Sequence, residues 1–255
     1  MRNGKIDDFD RLDREVVALG NDYAQGFFLP QHQHRRAQLL YGATGLMHVS
    51  TRDGEWVVPP QHAVWIPPKT LHAVKFVGVA TRSLYIEPAC AARLRKSSRC
   101  EVIGVSALLR QLLLEAVDLP PLYESERECA LVNLLLLELA TMPAREFDIP
   151  LPKHPALLAL CQTFLKKPCI HDTAERWASA MFMSASTFRR HFRQQTGMSF
   201  SAWRQRACVV SALALLLTGT QVNEVALSLG YDNGSSFATM FRRVTGQPPS
   251  FYHPT

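Results

Sequence analysis

The chain of 255 residues is long enough for two domains, each with its own core. Its hydrophobic fraction of 47% and charged fraction of 20% are typical of a folded protein and exclude an extended disordered chain. The net charge of +6 lies wholly in residues 155–255, which contain ten lysines and arginines against four acids. This asymmetry predicts a separate basic module whose partner is a polyanion.

The chain shows no targeting or membrane segment. Its first residues mix acids and bases, and its longest apolar runs, such as 209–217, are shorter than the roughly 20 residues that span a bilayer. We therefore expect a cytoplasmic protein with no membrane partner. The six cysteines form no CxxC pair, which predicts reduced, packed thiols.

Residues 1–90 predict a small all-β unit. Short apolar stretches alternate with turns, Asp53-Gly54 is a hairpin signal, and Pro59 and Pro67 end strands. The predicted strands cover 46–50, 56–58, 63–66, 73–79 and 84–86.

After residue 90 the apolar pattern takes the period of a helix. Leucine-rich segments at 105–117 and 129–140 predict two amphipathic helices within residues 91–142. They are interpreted either as a cover for the open face of the β unit or as a homodimer interface, and both can hold. Residues 143–155 contain four prolines and no apolar period, which predicts a linker.

Residues 156–255 are predicted to be helical and contain a repeat. The segments FRRHFRQQTG, from Phe188, and FATMFRRVTG, from Phe237, match at both phenylalanines and at Thr-Gly, with an offset of 49 residues that Trp203 and Tyr252 keep. Each copy has two short helices joined by a tight break, which predicts a helix-turn-helix. The first copy is predicted to begin with a capping box of Asp172 and Glu175, and its second helix with a Ser184 cap. In the second copy, Gly230 is predicted at a helix C′ position and Asn233-Gly234 in a turn.

The second helix of each copy is the predicted reader of double-stranded DNA. Phenylalanines four residues apart share the inward face, which leaves the basic and small polar side chains free for a partner. Arginine there can bond guanine bidentately or hold a phosphate, so the helix from Ser184 to Gln195 is predicted to enter a major groove. Small hydroxyl side chains in the second copy predict weaker base discrimination. The alternative is a solvated face with ordinary core spacing. The predicted DNA-binding residues are Ser186, Arg189, Arg190, Arg193, Ser235, Ser236, Thr239 and Arg242.

One helix from Ser199 to Leu217 is predicted to join the copies. Its length of roughly 28 Å is comparable with the roughly 34 Å between successive major grooves on one side of a duplex. We expect this connector to present both reading helices to one DNA face.

The helical region resembles the AraC/XylS family of bacterial transcription regulators. The segments from Ala174 to Ala207 and from Val222 to Tyr252 resemble the two helix-turn-helix units of that family. The resemblance implies base contacts by Ser186, Arg189 and Arg190 in the first unit and by Ser235, Ser236 and Thr239 in the second. It also implies promoter DNA, a small-molecule effector and a homodimer as partners, and leaves RNA polymerase open as a further one.

The β unit resembles a cupin barrel, which such regulators often carry as a sensor. The spacing of Gly26, His32, His34, Gln38 and Gly45 follows the first cupin motif, with glutamine in place of glutamate. The segment PPKTLH, 67–72, resembles the second motif, with Lys69 in place of glycine and His72 where the fourth ligand belongs. If 32–38 is a regular strand, residues 32, 34 and 38 share one side of it.

The cluster of His32, His34, Gln38 and His72 allows three interpretations. It binds a metal for sensing, it forms a metal-free polar pocket for an effector, or its histidines only bond neighbouring strands. Because glutamine is a neutral donor, a metal here would be a divalent transition ion such as nickel, zinc, copper or iron.

The predicted fold is α+β: a cupin-like barrel with dimerisation helices, then an all-α domain of two helix-turn-helix units joined by a long helix. The predicted function is a non-enzymatic, sequence-specific transcription regulator that responds to an effector. The alternative is a cupin metalloenzyme with an accessory basic domain.

Overall fold

A computed structural model describes residues 4, 6–24, 26–77, 79–95, 97–145 and 147–253. The chain forms two compact units, Met1–Thr51 with Trp56–Arg145 and Arg52–Glu55 with Glu146–Thr255. The α+β architecture predicted from sequence is confirmed.

The strands up to residue 145 form two antiparallel sheets. They are β1 (Val16–Tyr23), β2 (Phe28–His32), β3 (Ala37–Gly42), β4 (Leu46–Thr51), β5 (Gly54–Val58), β6 (His62–Ile66), β7 (His72–Val77), β8 (Val79–Ile86), β9 (Glu101–Gly104) and β10 (Ala144–Arg145). One sheet has the order β1-β8-β3-β6-β9-β10, and the other contains β5-β4-β7-β2. Arg52 and Asp53 form the turn between β4 and β5, one residue before the position that the Asp53-Gly54 hairpin signal predicted.

Three helices belong to the first unit: α1 (Pro88–Leu94), α2 (Ala107–Ala116) and α3 (Glu126–Thr141). The core of this unit joins α2 and α3 to alternate residues of the first sheet, such as Leu39, Trp65 and Leu84. Because side chains alternate along a strand, Gln38 and Tyr85 lie on the opposite face. The helices therefore cover one face of this sheet, as one of the two interpretations predicted.

Two predicted boundaries need correction. Residues 91–142 are not wholly helical, because Val102 and Ile103 of β9 are buried beside β6. Residues of β9, α2 and α3 also belong to the same hydrophobic core as strands from residues 1–90. The predicted linker, 143–155, contains β10, which pairs with β9, and β11 (Asp148–Pro150), whose Ile149 is fully buried. A strand takes up the backbone hydrogen bonds that a solvated linker would leave to water.

The second unit contains α4 (Pro155–Lys166), α5 (Ala174–Ala180), α6 (Ala185–Thr196), α7 (Phe200–Leu217), α8 (Val222–Ser228) and α9 (Gly234–Thr245). The helix pairs α5/α6 and α8/α9 are the two predicted helix-turn-helix units. Ser184 caps α6, as predicted, by accepting a hydrogen bond from the Thr187 amide at 3.2 Å. Strand β11 is held against α7, since Trp203 Nε1 donates to the Pro150 carbonyl at 2.9 Å.

One capping prediction and one turn prediction were wrong. Thr173, not Asp172, caps α5, because its hydroxyl accepts from the Arg176 amide at 3.2 Å while Asp172 bonds the Arg176 and Trp177 side chains. Asn233 caps α9 instead of forming a turn with Gly234, which is the first residue of that helix. Aspartate and threonine are both favoured caps, so the local sequence allowed either Asp172 or Thr173 to cap α5.

The repeat is less regular than its 49-residue offset predicted. Helices α6 and α9 keep that offset, but α5 and α8 are related by 48 residues, so the second turn is one residue longer. Gly230 has the predicted left-handed conformation after α8, with φ 83°. Phe182 follows α5 in the same conformation, with φ 54°.

Candidate functional site

Helix α6 presents a polar face to solvent and an aromatic face to the core. Phe188 and Phe192 are fully buried and pack around Trp177, whereas the four DNA-binding residues predicted on this helix are exposed. The aromatic side chains therefore fix the rotation of α6 and leave its basic face accessible. The exposed residues are Ser186, Arg189, Arg190 and Arg193.

Helix α9 repeats this arrangement. Phe237 and Phe241 are fully buried, and Tyr231 and Tyr252 pack against them edge-on. The Thr239 hydroxyl donates to the Ser235 carbonyl at 3.0 Å, so one predicted contact residue bonds its own helix. The exposed residues are Ser235, Ser236, Thr239 and Arg242.

Helix α7 connects the two units over 18 residues, about 27 Å. Its Trp203 is fully buried in the first aromatic cluster, and Tyr252, 49 residues on, is buried in the second. Trp203 therefore anchors the start of α7 in the first helix-turn-helix core, and Leu213 and Leu216 are fully buried near the other end of α7.

A basic concavity of about 640 Å³ lies between α5, α6 and the start of α7. Arg189, Arg190, Arg193 and Arg204 line it, together with Glu175. The Glu175 carboxylate forms an ion pair with Arg189. Sequence reasoning assigned Glu175 to a capping box and missed this pair, because no local signal tells which residue of α5 faces α6.

The four predicted pocket residues of the first unit lie together, but not along one strand as expected. Strand β2 ends at His32, and Gln38 belongs to β3 of the other sheet. The chain turns between them, where the fully buried Arg36 donates to the carbonyls of Leu12, at 2.7 Å, and Arg14, at 2.8 Å.

The cluster instead bridges the two sheets. His32 faces His72 across β2 and β7, and their ring centroids are 4.2 Å apart. The His34 ring centroid lies 5.2 Å from that of His72, and His34 Nε2 lies 3.1 Å from Gln38 Oε1. The Gln38 amide also contacts the hydroxyls of Ser83, at 3.2 Å, and Tyr85, at 3.0 Å. Ser83 and Tyr85 were missed because they share the alternating pattern of an ordinary strand.

Backbone carbonyls set the tautomer of each clustered histidine. The Nδ1 atoms of His32, His34 and His72 lie 2.9, 2.6 and 2.8 Å from the carbonyl oxygens of Pro30, Arg36 and Thr70. Each Nδ1 therefore carries a proton, and in the neutral form of each ring the lone pair is at Nε2.

The protonation of His34 defines the orientation of the Gln38 amide. Burial lowers the pKa of His34, so its ring is neutral and its Nε2 accepts. The amide must therefore turn its nitrogen to His34 and its oxygen to the hydroxyls of Ser83 and Tyr85, both of which can donate.

His72 is the unsatisfied member of the cluster. It is fully buried, burial lowers its pKa to about 4, and its Nε2 has no hydrogen-bond partner among the described residues. A hydrogen-bond donor or a cation would satisfy this lone pair.

The arrangement does not fit a metal as it stands. Within the described part of the chain, no three His, Cys, Asp or Glu side chains are placed to hold a metal ion. The Nε2 lone pair of His34 is also occupied by the Gln38 amide. Metal binding by these residues stays a prediction.

Comparisons with known proteins place both units in one family. Residues 15–140 match the AraC-like ligand binding domain, and residues 177–253 match a helix-turn-helix domain. The chain is 32% identical over 225 residues to the HTH-type transcriptional regulator NimR of Escherichia coli K12, which covers 88% of this chain and 81% of that protein. The chain belongs to the AraC/XylS family.

Other known proteins match a smaller part of the chain or have lower sequence identity. The HTH-type transcriptional regulator RipA of Corynebacterium glutamicum is 37% identical over 105 residues, 40% of this chain and 31% of that protein. Apo ToxT from Vibrio cholerae covers 94% of this chain and 97% of its own, with 10% identity and a TM-score of 0.40. The C-terminal domain of AraT from Geobacillus stearothermophilus covers 36% of this chain and 77% of its own, with 28% identity and a TM-score of 0.34.

As a member of the AraC/XylS family, the protein is a DNA-binding transcriptional regulator with an N-terminal ligand-binding domain. Among its described residues, the helices lack the combination of length and apolar character that a membrane crossing needs.

Proposed function

We propose that this regulator reads DNA with α6 and α9 and changes its DNA occupancy when a small molecule binds the histidine cluster. It is a cytoplasmic, non-enzymatic protein in this proposal, with promoter DNA as its macromolecular ligand and RNA polymerase as a further partner on the promoter. The observation that carries it is the same in both helices: the aromatic face is buried and the predicted reading residues are exposed.

Substitution of Arg189 tests the reading assignment. Arg189→Ala is expected to cost about 1 to 3 kcal/mol of binding free energy on the preferred site and to relax the preference at one base pair, because a bidentate contact to guanine is lost. The measurement is the affinity for the preferred site and for its single-base variants. The control is Arg176→Ala, which removes an exposed, ion-paired arginine from α5. An equal loss on every DNA sequence would show that Arg189 contacts only phosphate.

The effector proposal follows from the unpaired lone pair of His72. The cluster offers an unpaired hydrogen-bond acceptor at the Nε2 atom of His72. We therefore expect an effector that donates hydrogen bonds, such as an amine, an amide or an N–H heterocycle. Binding shifts regulation only if the effector prefers one of two arrangements of the protein.

The homodimer proposal is based on α3. Leu134 and Leu137 are exposed to 42% and 67%, although Leu135 and Leu139 of the same helix are buried. An exposed leucine pair three residues apart forms an apolar strip, which a second copy of this helix can cover.

A further inference from the structure

The Glu175–Arg189 ion pair joins the first helix of a helix-turn-helix to its reading helix. Glu175 lies in the first turn of α5, and Arg189 lies one turn into the exposed face of α6. Both side chains are more than half exposed, at 60% and 58%. Exposed ion pairs contribute little to folding free energy, so the pair needs another explanation.

The second helix-turn-helix lacks this pair. Asn223 occupies the second position of α8, as Glu175 does in α5, and Ala238 lies 49 residues beyond Arg189 in α9. The fold of the unit therefore forms without the ion pair. The pair distinguishes the arginine-bearing reader from the one with small hydroxyl side chains.

The position of Glu175 is unfavourable for general DNA affinity. Its carboxylate lines a concavity with four arginines, where it reduces the positive potential that attracts phosphates. An acid at such a place lowers the affinity for every sequence, which is useful only if it improves discrimination between sequences.

A carboxylate can improve discrimination by restricting an arginine. An arginine side chain without an ion pair has several rotatable bonds, so its guanidinium can hydrogen-bond either a phosphate or a base edge. An ion pair holds the guanidinium in one orientation, so the cost of ordering it at a base edge is already met before DNA binds.

We propose that Glu175 is a positioning residue for base recognition, which holds the Arg189 guanidinium so that it meets a base edge and not a phosphate. This inference rests on the proposed function of α6 as a reading helix.

The test compares Glu175→Gln with the wild-type full-length protein. The affinity is measured for two DNA sites. The first is the preferred site selected by the wild-type protein. The second differs from it at the one base pair where Arg189→Ala loses its preference. We expect the affinity of Glu175→Gln for the variant site to rise and the ratio of the two affinities to fall at least threefold. The salt dependence on the variant site should become steeper by about one phosphate contact, because Arg189 is released.

Glu224→Gln is the matched control, because Glu224 is exposed, lies in the first turn of α8 and has no ion-pair partner among the described residues. This change should raise both affinities alike and leave their ratio unchanged. The same Glu175→Gln change in the Arg189→Ala background should also leave the ratio unchanged, since no arginine remains to be positioned.

An unchanged ratio in Glu175→Gln, or an equal fall of the ratio with and without Arg189, would overturn the inference. Absence of any preferred site for the wild-type protein would instead refute the proposed function. Equal melting temperatures of wild type and Glu175→Gln would exclude a folding defect as the cause of a lower ratio.

Discussion

Arg36 and His72 are both fully buried polar side chains, but their hydrogen bonding differs. The Arg36 guanidinium donates to the carbonyls of Leu12 and Arg14 and pairs with Glu87 at 3.2 Å, which fixes the turn between β2 and β3. His72 has a partner for Nδ1 and none for Nε2 among the described residues. An unpaired buried polar atom costs about 1 to 3 kcal/mol, a penalty that a donating ligand would remove. The difference explains why one residue is structural and the other is the expected contact for an effector.

His72→Asn tests this assignment. Asparagine retains an N–H donor for the Thr70 carbonyl and removes the Nε2 acceptor, so effector affinity should fall at least about tenfold while the fold is kept. Thermal-shift measurements with a panel of amines and amides, followed by titration of the compounds that stabilise the wild type, check this. His62→Asn is the control, because His62 makes the same type of Nδ1 contact, to Pro60 at 3.0 Å, outside the cluster.

Equal stabilisation of the His72→Asn variant and the wild type would place the effector elsewhere. Elemental analysis that finds nickel, zinc, copper or iron in the wild-type protein and none in the variant would instead make the cluster a metal centre.

Among the elements, the turn between α5 and α6 contains a conformational strain that the second turn avoids. Phe182 is 98% exposed and has a left-handed φ of 54°, whereas Gly230 occupies the same place after α8. Left-handed backbone costs roughly 1 kcal/mol or more for a residue with a side chain and little for glycine. Since the Phe182 side chain is almost free of contacts, little packing offsets that cost.

Phe182→Gly is therefore expected to stabilise the second unit by up to about 1 kcal/mol, after the larger chain entropy of glycine is deducted. Urea unfolding followed by the helical circular dichroism signal measures the change. Phe182→Ala retains the side-chain clash with the backbone and should give no gain. A loss of stability in the glycine variant would mean that the phenylalanine ring makes a stabilising contact.

Helix α3 provides the prediction on assembly. Leu137→Glu places a charge on the exposed apolar strip and should shift the protein towards the monomer in sedimentation equilibrium, because a charge in an interface must lose water without a partner. Glu126→Gln, at the exposed start of the same helix, is the control. A dimer that dissociates no more readily than the wild type would place the interface outside α3.

The local sequence predicted helices and turns better than it predicted which segments pack or pair with each other. Helices α6 and α9 and their buried phenylalanines follow from spacing within a dozen residues, as do the β4–β5 hairpin and the Ser184 cap. Strands β9, β10 and β11 are short and depend on pairing with distant segments, so no local period marks them. The break after His32 depends on Arg36 and on carbonyls more than twenty residues away. Such long-range contacts also explain why Glu175, Ser83 and Tyr85 were missed.

For the whole molecule, the charge distribution differs between the ligand-binding domain and the helix-turn-helix domain. The positive excess lies in residues 155–255, which contain both proposed reading helices, whereas residues 1–154 carry balanced charge and the region that matches the ligand-binding domain. The proposed reading helices are connected by α7, in which Trp203 is buried near the start and Leu213 and Leu216 are buried near the end. A rigid connector of about 27 Å requires two DNA elements at one fixed separation.

The spacing of the two DNA elements tests this claim most directly. A preferred site is first selected in vitro with the full-length protein. Five or ten base pairs are then inserted between the two sequence elements of that site. We expect both insertions to lower the affinity at least about tenfold, since a stiff α7 cannot follow a change of either phase or distance. Unchanged affinity after both insertions would contradict the account, because it would show that the two helices do not read one site together.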